Sequence, residues 1–274
     1  MPGLDIHTGI WRALTELEIF PTANAGTSAG AIMAAFCSAG IAQSGIERML
    51  RSLSDSDVRA ERFAWKIRAP WIDWFLENAP IRKILEAKLP DRFYHLEKPL
   101  SVVATRVRDG RQTIFSGDPC ATTSPRCVAL NAQLSTCLTD AVLASMSISG
   151  VFPHVNILGE DYADGGVRAN LPLPTNWRNY DEIYLLIASR PVEYTNKHGI
   201  LACLMLNLDW YALDQIEDTV ALLAAEYKKL RGPRVHIVWP AIGRDAGALR
   251  FRHELIDQAY QQTLQQFKGI RNAT

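Results

Sequence analysis

A serine set between two glycines, in Gly26-Thr27-Ser28-Ala29-Gly30, constrains this chain more than any other stretch. Before it, Ile19, Phe20 and Ala23 to Gly26 supply a short buried segment. After it, Gly30 to Ala39 is small and apolar and is closed by Gly40. The pattern predicts a strand, a sharp turn at Ser28 and then a helix. Such a turn projects the hydroxyl outward, its glycines let neighbouring backbone approach, and the helix start favours negative charge. A serine that simply caps a helix fits the same five residues, so the motif sets local shape before it sets chemistry.

The rest of the chain extends the alternation. Ile10, Leu14 and Leu17 share one face of a first helix that breaks at Pro21, and Gly45 to Leu53 reads as another helix. Leu100 to Val107 and Gln112 to Ser116 read as strands joined across Arg108-Asp109-Gly110-Arg111, where Asp-Gly signals a hairpin. Leu134 to Met146 is helical and Val151 to Leu158 extended. Ile183 to Ala188 is the apolar run of a strand covered on both faces. Helices near Leu213 to Leu230 and Arg250 to Phe267 enclose a strand at Val235 to Trp239. This order predicts an α/β fold, a three-layer α/β/α sandwich with a mainly parallel central sheet. With 274 residues, 48% of them hydrophobic, residues 1–274 are expected to form a single domain around one core.

Charge and cysteine usage narrow the partners. The 29 basic and 29 acidic residues cancel, which gives no electrostatic reason to expect nucleic acid. Cys37, Cys120, Cys127, Cys137 and Cys203 are odd in number and contain no Cys-x-x-Cys pair. Neither a disulfide framework nor a metal site is suggested, and a reducing cytoplasm fits. No signal-peptide pattern opens the chain, and no run approaches the roughly 18 apolar residues of a spanning helix, so any membrane contact is expected to be peripheral. Phe63 to Leu89 mixes Trp65, Trp71, Trp74 and Phe75 with Lys66, Arg68, Arg82 and Lys83. It reads either as a flap at a lipid headgroup boundary or as a pair of helices covering the core. Ile200 to Tyr211 is a second apolar stretch that fits an acyl-chain pocket or a core.

If Ser28 is a nucleophile, it needs a base. A hydrolase histidine would lie downstream, where His154, His198, His236 and His253 stand. His236 falls in an apolar strand and His253 in a charged helix, leaving His198, just after a strand, as the histidine alternative. Asp164 offers a different solution. In Tyr162-Ala163-Asp164-Gly165-Gly166-Val167 two glycines let a loop fold tightly beside a carboxylate, and a carboxylate in reach of Ser28 can take its proton if burial raises its basicity. An ordinary Asp-Gly turn fits the same residues.

Gly26-Thr27-Ser28-Ala29-Gly30, followed much later by Asp164-Gly165-Gly166, resembles the patatin-like phospholipases, whose members use a Ser-Asp dyad without histidine. His7-Thr8-Gly9-Ile10-Trp11-Arg12-Ala13-Leu14 resembles the first helix of the family. Ala144-Ser145-Met146-Ser147-Ile148-Ser149-Gly150-Val151-Phe152-Pro153 resembles the segment before the aspartate, and Gly165 to Pro172 its continuation. The resemblance covers about residues 3 to 190 and leaves about 191 to 274 without diagnostic motifs. It implies Ser28 as nucleophile, Asp164 as base, Gly26, Gly30, Gly165 and Gly166 as motif glycines, and a phospholipid or other long-chain ester as substrate. The implied reaction is acyl transfer to water through an acyl-enzyme, with no metal and no cofactor. Members also carry a glycine-rich loop before the first helix whose amides form the oxyanion hole. This chain opens Met1-Pro2-Gly3-Leu4, so Gly3 and the amide of Ala29 stand as the oxyanion groups. That departure leaves two expectations open: a natural start further upstream, or a catalytically impaired patatin-like lipid-binding or regulatory protein.

Overall fold

A computed structural model describes residues 2–58, 76–117, 127–131, 136–173, 176–188, 200–230, 232–242 and 251–271. The chain divides into two compact units. One comprises Pro21–Ala42 with Arg51–Thr175; the other comprises Met1–Phe20, Gln43–Leu50 and Asn176–Thr274.

The first unit is built on strands β1 (Asn24–Thr27), β2 (Leu100–Arg106), β3 (Gln112–Ser116), β4 (Cys127–Asn131), β5 (Val155–Ile157) and β6 (Glu160–Asp164). They form one sheet in the order β4-β3-β2-β6-β5, with β1 also paired to β2. The β1–β2 and β3–β4 pairs are parallel, whereas β2–β3, β2–β6 and β5–β6 are antiparallel. The sheet is therefore mixed, where the sequence pattern predicted a mainly parallel one. The reason is connection length: β2 and β3 are joined by five residues, and β5 and β6 by two. Connections so short can only reverse the chain, while a parallel neighbour needs a crossover of a dozen or more residues.

Helix α2 (Ala29–Ser38) is followed in sequence by α3 (Gln43–Ser52) and α4 (Asp55–Val58), and α2 and α6 (Leu138–Met146) pack on each other and on this sheet. Every residue of α2 from Ala31 to Ser38 is buried, which matches its uniformly apolar sequence. The helix stops where Gly40 takes φ 71°, with Gly40 N–H donating to the Cys37 carbonyl and Ile41 N–H to the Phe36 carbonyl, a Schellman closure. Of Phe63 to Leu89, residues 63–75 lie outside the described ones. The remainder carries α5 (Ala79–Glu86), which buries Ile81 and Leu85 and ties Arg82 to Asp140 of α6 at 2.7 Å. That part covers the core.

In the second unit, α1 (Pro2–Glu16) packs along α8 (Glu254–Arg271). Gly9 is the contact point: a Cβ there would overlap the Ile256 carbonyl oxygen. Strands β7 (Glu182–Leu186) and β8 (Arg234–Val238) pair in parallel, and α7 (Ile200–Leu230) lies between them in sequence. The helix thus begins well before Leu213, and the Ile200 to Tyr211 stretch is its opening part. Along the β7 segment Leu185 and Ile187 are buried but Ile183 and Leu186 only half-buried, so this strand is less enclosed than its apolar run predicted.

Candidate active site

The register of the sheet brings Ser28 and Asp164 together. Strand β1 runs along one edge of β2 and ends with Thr27 opposite Val103; β6 comes from the other direction along that edge and ends with Asp164 opposite Ala104. Two strands therefore meet end to end at consecutive residues of β2. Ser28, the next residue after β1, and Asp164, the last of β6, emerge at that junction. Gly165 makes the junction possible, since a Cβ there would overlap the Val103 carbonyl oxygen and press on Thr27 Cγ2.

Ser28 adopts φ 55° and ψ −127°, a conformation that a non-glycine residue holds only when its surroundings impose it. Gly26 supplies part of that constraint, because a Cβ on it would overlap the Gly30 carbonyl. The Thr27 hydroxyl donates to the Ala169 carbonyl at 2.8 Å, and Ser28 N–H donates to Ser145 Oγ at 3.0 Å. The Ser28 carbonyl already accepts from Ala31 and Ile32, the start of α2. The sequence pattern of strand, sharp turn and helix is thus the local structure.

Asp164 is buried. Its N–H donates to the Ser147 carbonyl at 2.8 Å and its carbonyl accepts from Thr105 Oγ1 at 2.9 Å. Oδ1 accepts the Gly166 amide at 2.7 Å, whereas Oδ2 is buried with no hydrogen bond of full geometry among the described residues. Burial pushes the carboxyl up to about 6, against the Ser28 hydroxyl and the Gly166 amide, which both act to lower it. The hydroxyl therefore lies within electrostatic reach of the carboxyl, short of an aligned hydrogen bond, as catalytic pairs commonly are before substrate arrives.

The amides of Ala29 and Gly30, at the first turn of α2, donate to no acceptor among the described residues, so this turn presents free N–H groups beside the serine. Gly3 sits in the first turn of α1, in the other unit. His198 lies outside the described residues. His154 is exposed and bonded to Ser149 Oγ at 3.1 Å, His236 stacks on Tyr184, and His253 faces Asp5. Ser145, Ser147, Ala104 and Thr105 are the contributors that pattern reading passed over; the one signal was that Ser145 and Ser147 fall within the family-like segment before the aspartate.

The Patatin-like phospholipase family model matches residues 6–177. The chain belongs to this family. As a family, the patatin-like phospholipases are lipid acyl hydrolases. Among solved structures, VipD from Legionella pneumophila superposes with a TM-score of 0.53 at 15% sequence identity, over 97% of this chain and 65% of that one. The likeness is one of fold, a mixed sheet flanked by helices, and this chain spans less than two thirds of that protein's length. No curated protein sequence matches it.

Proposed function

We propose that this patatin-like protein hydrolyses carboxylic esters of phospholipids or other long-chain lipids, with Ser28 as nucleophile and Asp164 as base. The observation that carries the reading is the pairing of a strained, half-buried serine with a buried carboxyl raised to about 6, at the point where β1 and β6 meet. At neutral pH such a carboxyl is mostly ionised yet more basic than an ordinary aspartate, the poise a general base requires.

Asp164 takes the Ser28 proton as Oγ attacks the ester carbonyl. The carbonyl oxygen gains negative charge, which the amides of Ala29 and Gly30 stabilise. Asp164 then gives the proton to the departing alcohol or lysolipid, leaving an acyl-serine. Water attacks that ester while Asp164 accepts its proton, and the proton returns to Ser28 as the fatty acid leaves. Substrate reaches the site from a membrane surface that the protein touches peripherally from the cytoplasm, a setting in keeping with the unpaired thiols of Cys37 and Cys137.

The test is reaction of the purified chain with a fluorophosphonate, with the labelled residue mapped by mass spectrometry. Wild type should label at Ser28 and cleave a long-chain ester, and Ser28→Ala should do neither. Asp164→Asn should lose about 10²- to 10⁴-fold in turnover, the usual worth of a general base. A folded wild-type chain that neither labels nor cleaves would instead assign the protein a lipid-binding or regulatory role.

A further inference from the structure

Both members of the Ser28–Asp164 pair hang from one short segment, the C-terminal end of α6. The hydroxyl of Ser145 accepts the Ser28 amide at 3.0 Å, and two residues later the Ser147 carbonyl accepts the Asp164 amide at 2.8 Å. The segment is itself fixed. Ser145 and Ser147 are both fully buried, Ser147 Oγ donates to the Leu143 carbonyl at 2.7 Å, and Asn78 Nδ2 reaches both Ser147 Oγ at 3.3 Å and the Pro153 carbonyl at 3.1 Å. One rigid helix end therefore holds the backbone of the nucleophile through a side chain and the backbone of the base through a carbonyl.

The two attachments differ in what a mutation can reach. Any residue at position 147 offers a carbonyl to Asp164. Only a side chain with an acceptor at the right reach can serve Ser28, whose amide donates to the hydroxyl of Ser145 on α6. Among the described residues Ser145 Oγ is the acceptor of that amide. Without it the N–H would be left unpaired in a partly buried site, and the backbone could recover a partner only by rotating out of the strained conformation. Rotation at Ser28 swings Oγ away from Asp164.

We infer that Ser145 is a positioning residue for ester hydrolysis, locking the Ser28 backbone in the conformation that aims its hydroxyl at Asp164. The inference rests on the reading of Ser28 as nucleophile. It touches neither substrate binding nor the carboxyl, so its effect is specific. Loss of the hydroxyl should lower the rate of Ser28 acylation, leave KM close to wild type, and leave the midpoint of the acid limb of the pH–rate profile where it was.

The experiment compares wild type, Ser28→Ala, Ser145→Ala and Ser145→Thr in fluorophosphonate labelling rate, in kcat and KM on a long-chain ester, and in thermal melting. The expected result is a labelling rate and kcat reduced at least tenfold in Ser145→Ala, with KM within about twofold of wild type, the pH midpoint unmoved, and partial recovery in Ser145→Thr, which restores the acceptor. Equal labelling rates in wild type and a folded Ser145→Ala overturn the inference while leaving Ser28 as the labelled residue. A drop seen in KM alone, or a shifted pH midpoint, also overturns it. If Ser145→Ala does not fold, Ser145→Cys, close in volume but a much weaker acceptor, decides by the same readouts. Wild-type labelling that survives in Ser28→Ala removes the nucleophile reading itself, and the inference with it.

Discussion

At the scale of single residues, Asp164 as the proposed base would link activity to stability with a definite sign. Its carboxyl is raised from 3.8 to about 6 in the folded protein, chiefly by burial, so the native state holds a proton that the unfolded chain has already released. Between about pH 4 and pH 6 the folded state binds more protons than the unfolded one, and stability falls as pH rises through that window. At about 1.4 kcal/mol per unit, the buried charge costs roughly 2–3 kcal/mol of stability once pH exceeds 6. Asp164→Asn should therefore lose turnover yet melt higher than wild type at pH 8, by the equivalent of about 1–3 kcal/mol, with the gap closing towards pH 4. Thermal melts of both proteins across that range, set beside an acid limb of kcat/KM centred near pH 6 for wild type, check the two halves of the argument. Equal melting at every pH would mean the carboxyl is not held in its raised state. The sharp turn at Ser28 and the tight approach at Asp164 were legible in the sequence because each carries its glycines beside it, so the local shape is written next to the residues proposed for the chemistry. Ser145 and Thr105 were not legible, because each acts on a partner far away in sequence, 117 and 59 residues respectively. A buried serine at a helix end looks the same whether it serves a neighbour or a nucleophile.

At the scale of elements, what could be read was what neighbouring residues decide. The hairpin of β2 and β3 follows its Asp-Gly signal, with Gly110 at φ 64° and Asp109 accepting from both Arg106 and the Arg111 amide. The end of α2 follows its glycine. The direction of β6 was not read, because Val151 to Leu158 looks like one extended run and Tyr162-Ala163 like a lead-in to the glycines; the two-residue link between β5 and β6 was the available signal that the chain reverses there. The closure of α2 carries its own prediction. Gly40 has φ 71°, and a Cβ there would also overlap the Glu97 carboxylate. The carboxylate sits on a flexible side chain and can move aside, so the backbone conformation sets the penalty, about 1–2 kcal/mol for a residue with a Cβ. Gly40→Ala should lower the melting temperature by about 2–6 °C. Because the change falls at the far end of α2 from Ser28, the rate of fluorophosphonate labelling should stay at the wild-type value. Unchanged melting would show that the chain closes α2 without left-handed backbone at this position.

At the scale of the whole molecule, the chain ends are where pattern reading had least to work with. No motif marks the C-terminal third, yet it is that third which packs α8 along α1, through a glycine that the sequence offered only as part of a first helix. Such pairing joins residues about 250 positions apart, and periodicity carries no information on it. Net charge, by contrast, is fully legible and has a consequence for how a lipid hydrolase meets its substrate. With 29 basic and 29 acidic residues, the molecule as a whole gains nothing from the negative potential of an anionic membrane. Adsorption would then depend on apolar contact, which salt does not screen. Among the described residues Trp210, Tyr211 and Leu222 on α7 are large side chains exposed for such contact, and Asp214 and Asp218 stand between them in sequence, which further disfavours an anionic surface. Hydrolysis of vesicle lipid should therefore differ little between neutral vesicles and vesicles containing about a third anionic lipid. It should stay within about twofold as salt is raised from roughly 0.05 to 0.5 M, a change that shortens the screening length severalfold. A steep fall of activity with salt on anionic vesicles would reverse the argument. It would show that a local basic segment, with Lys66, Arg68, Arg82 and Lys83 the foremost candidates in the sequence, outweighs the balance of the whole.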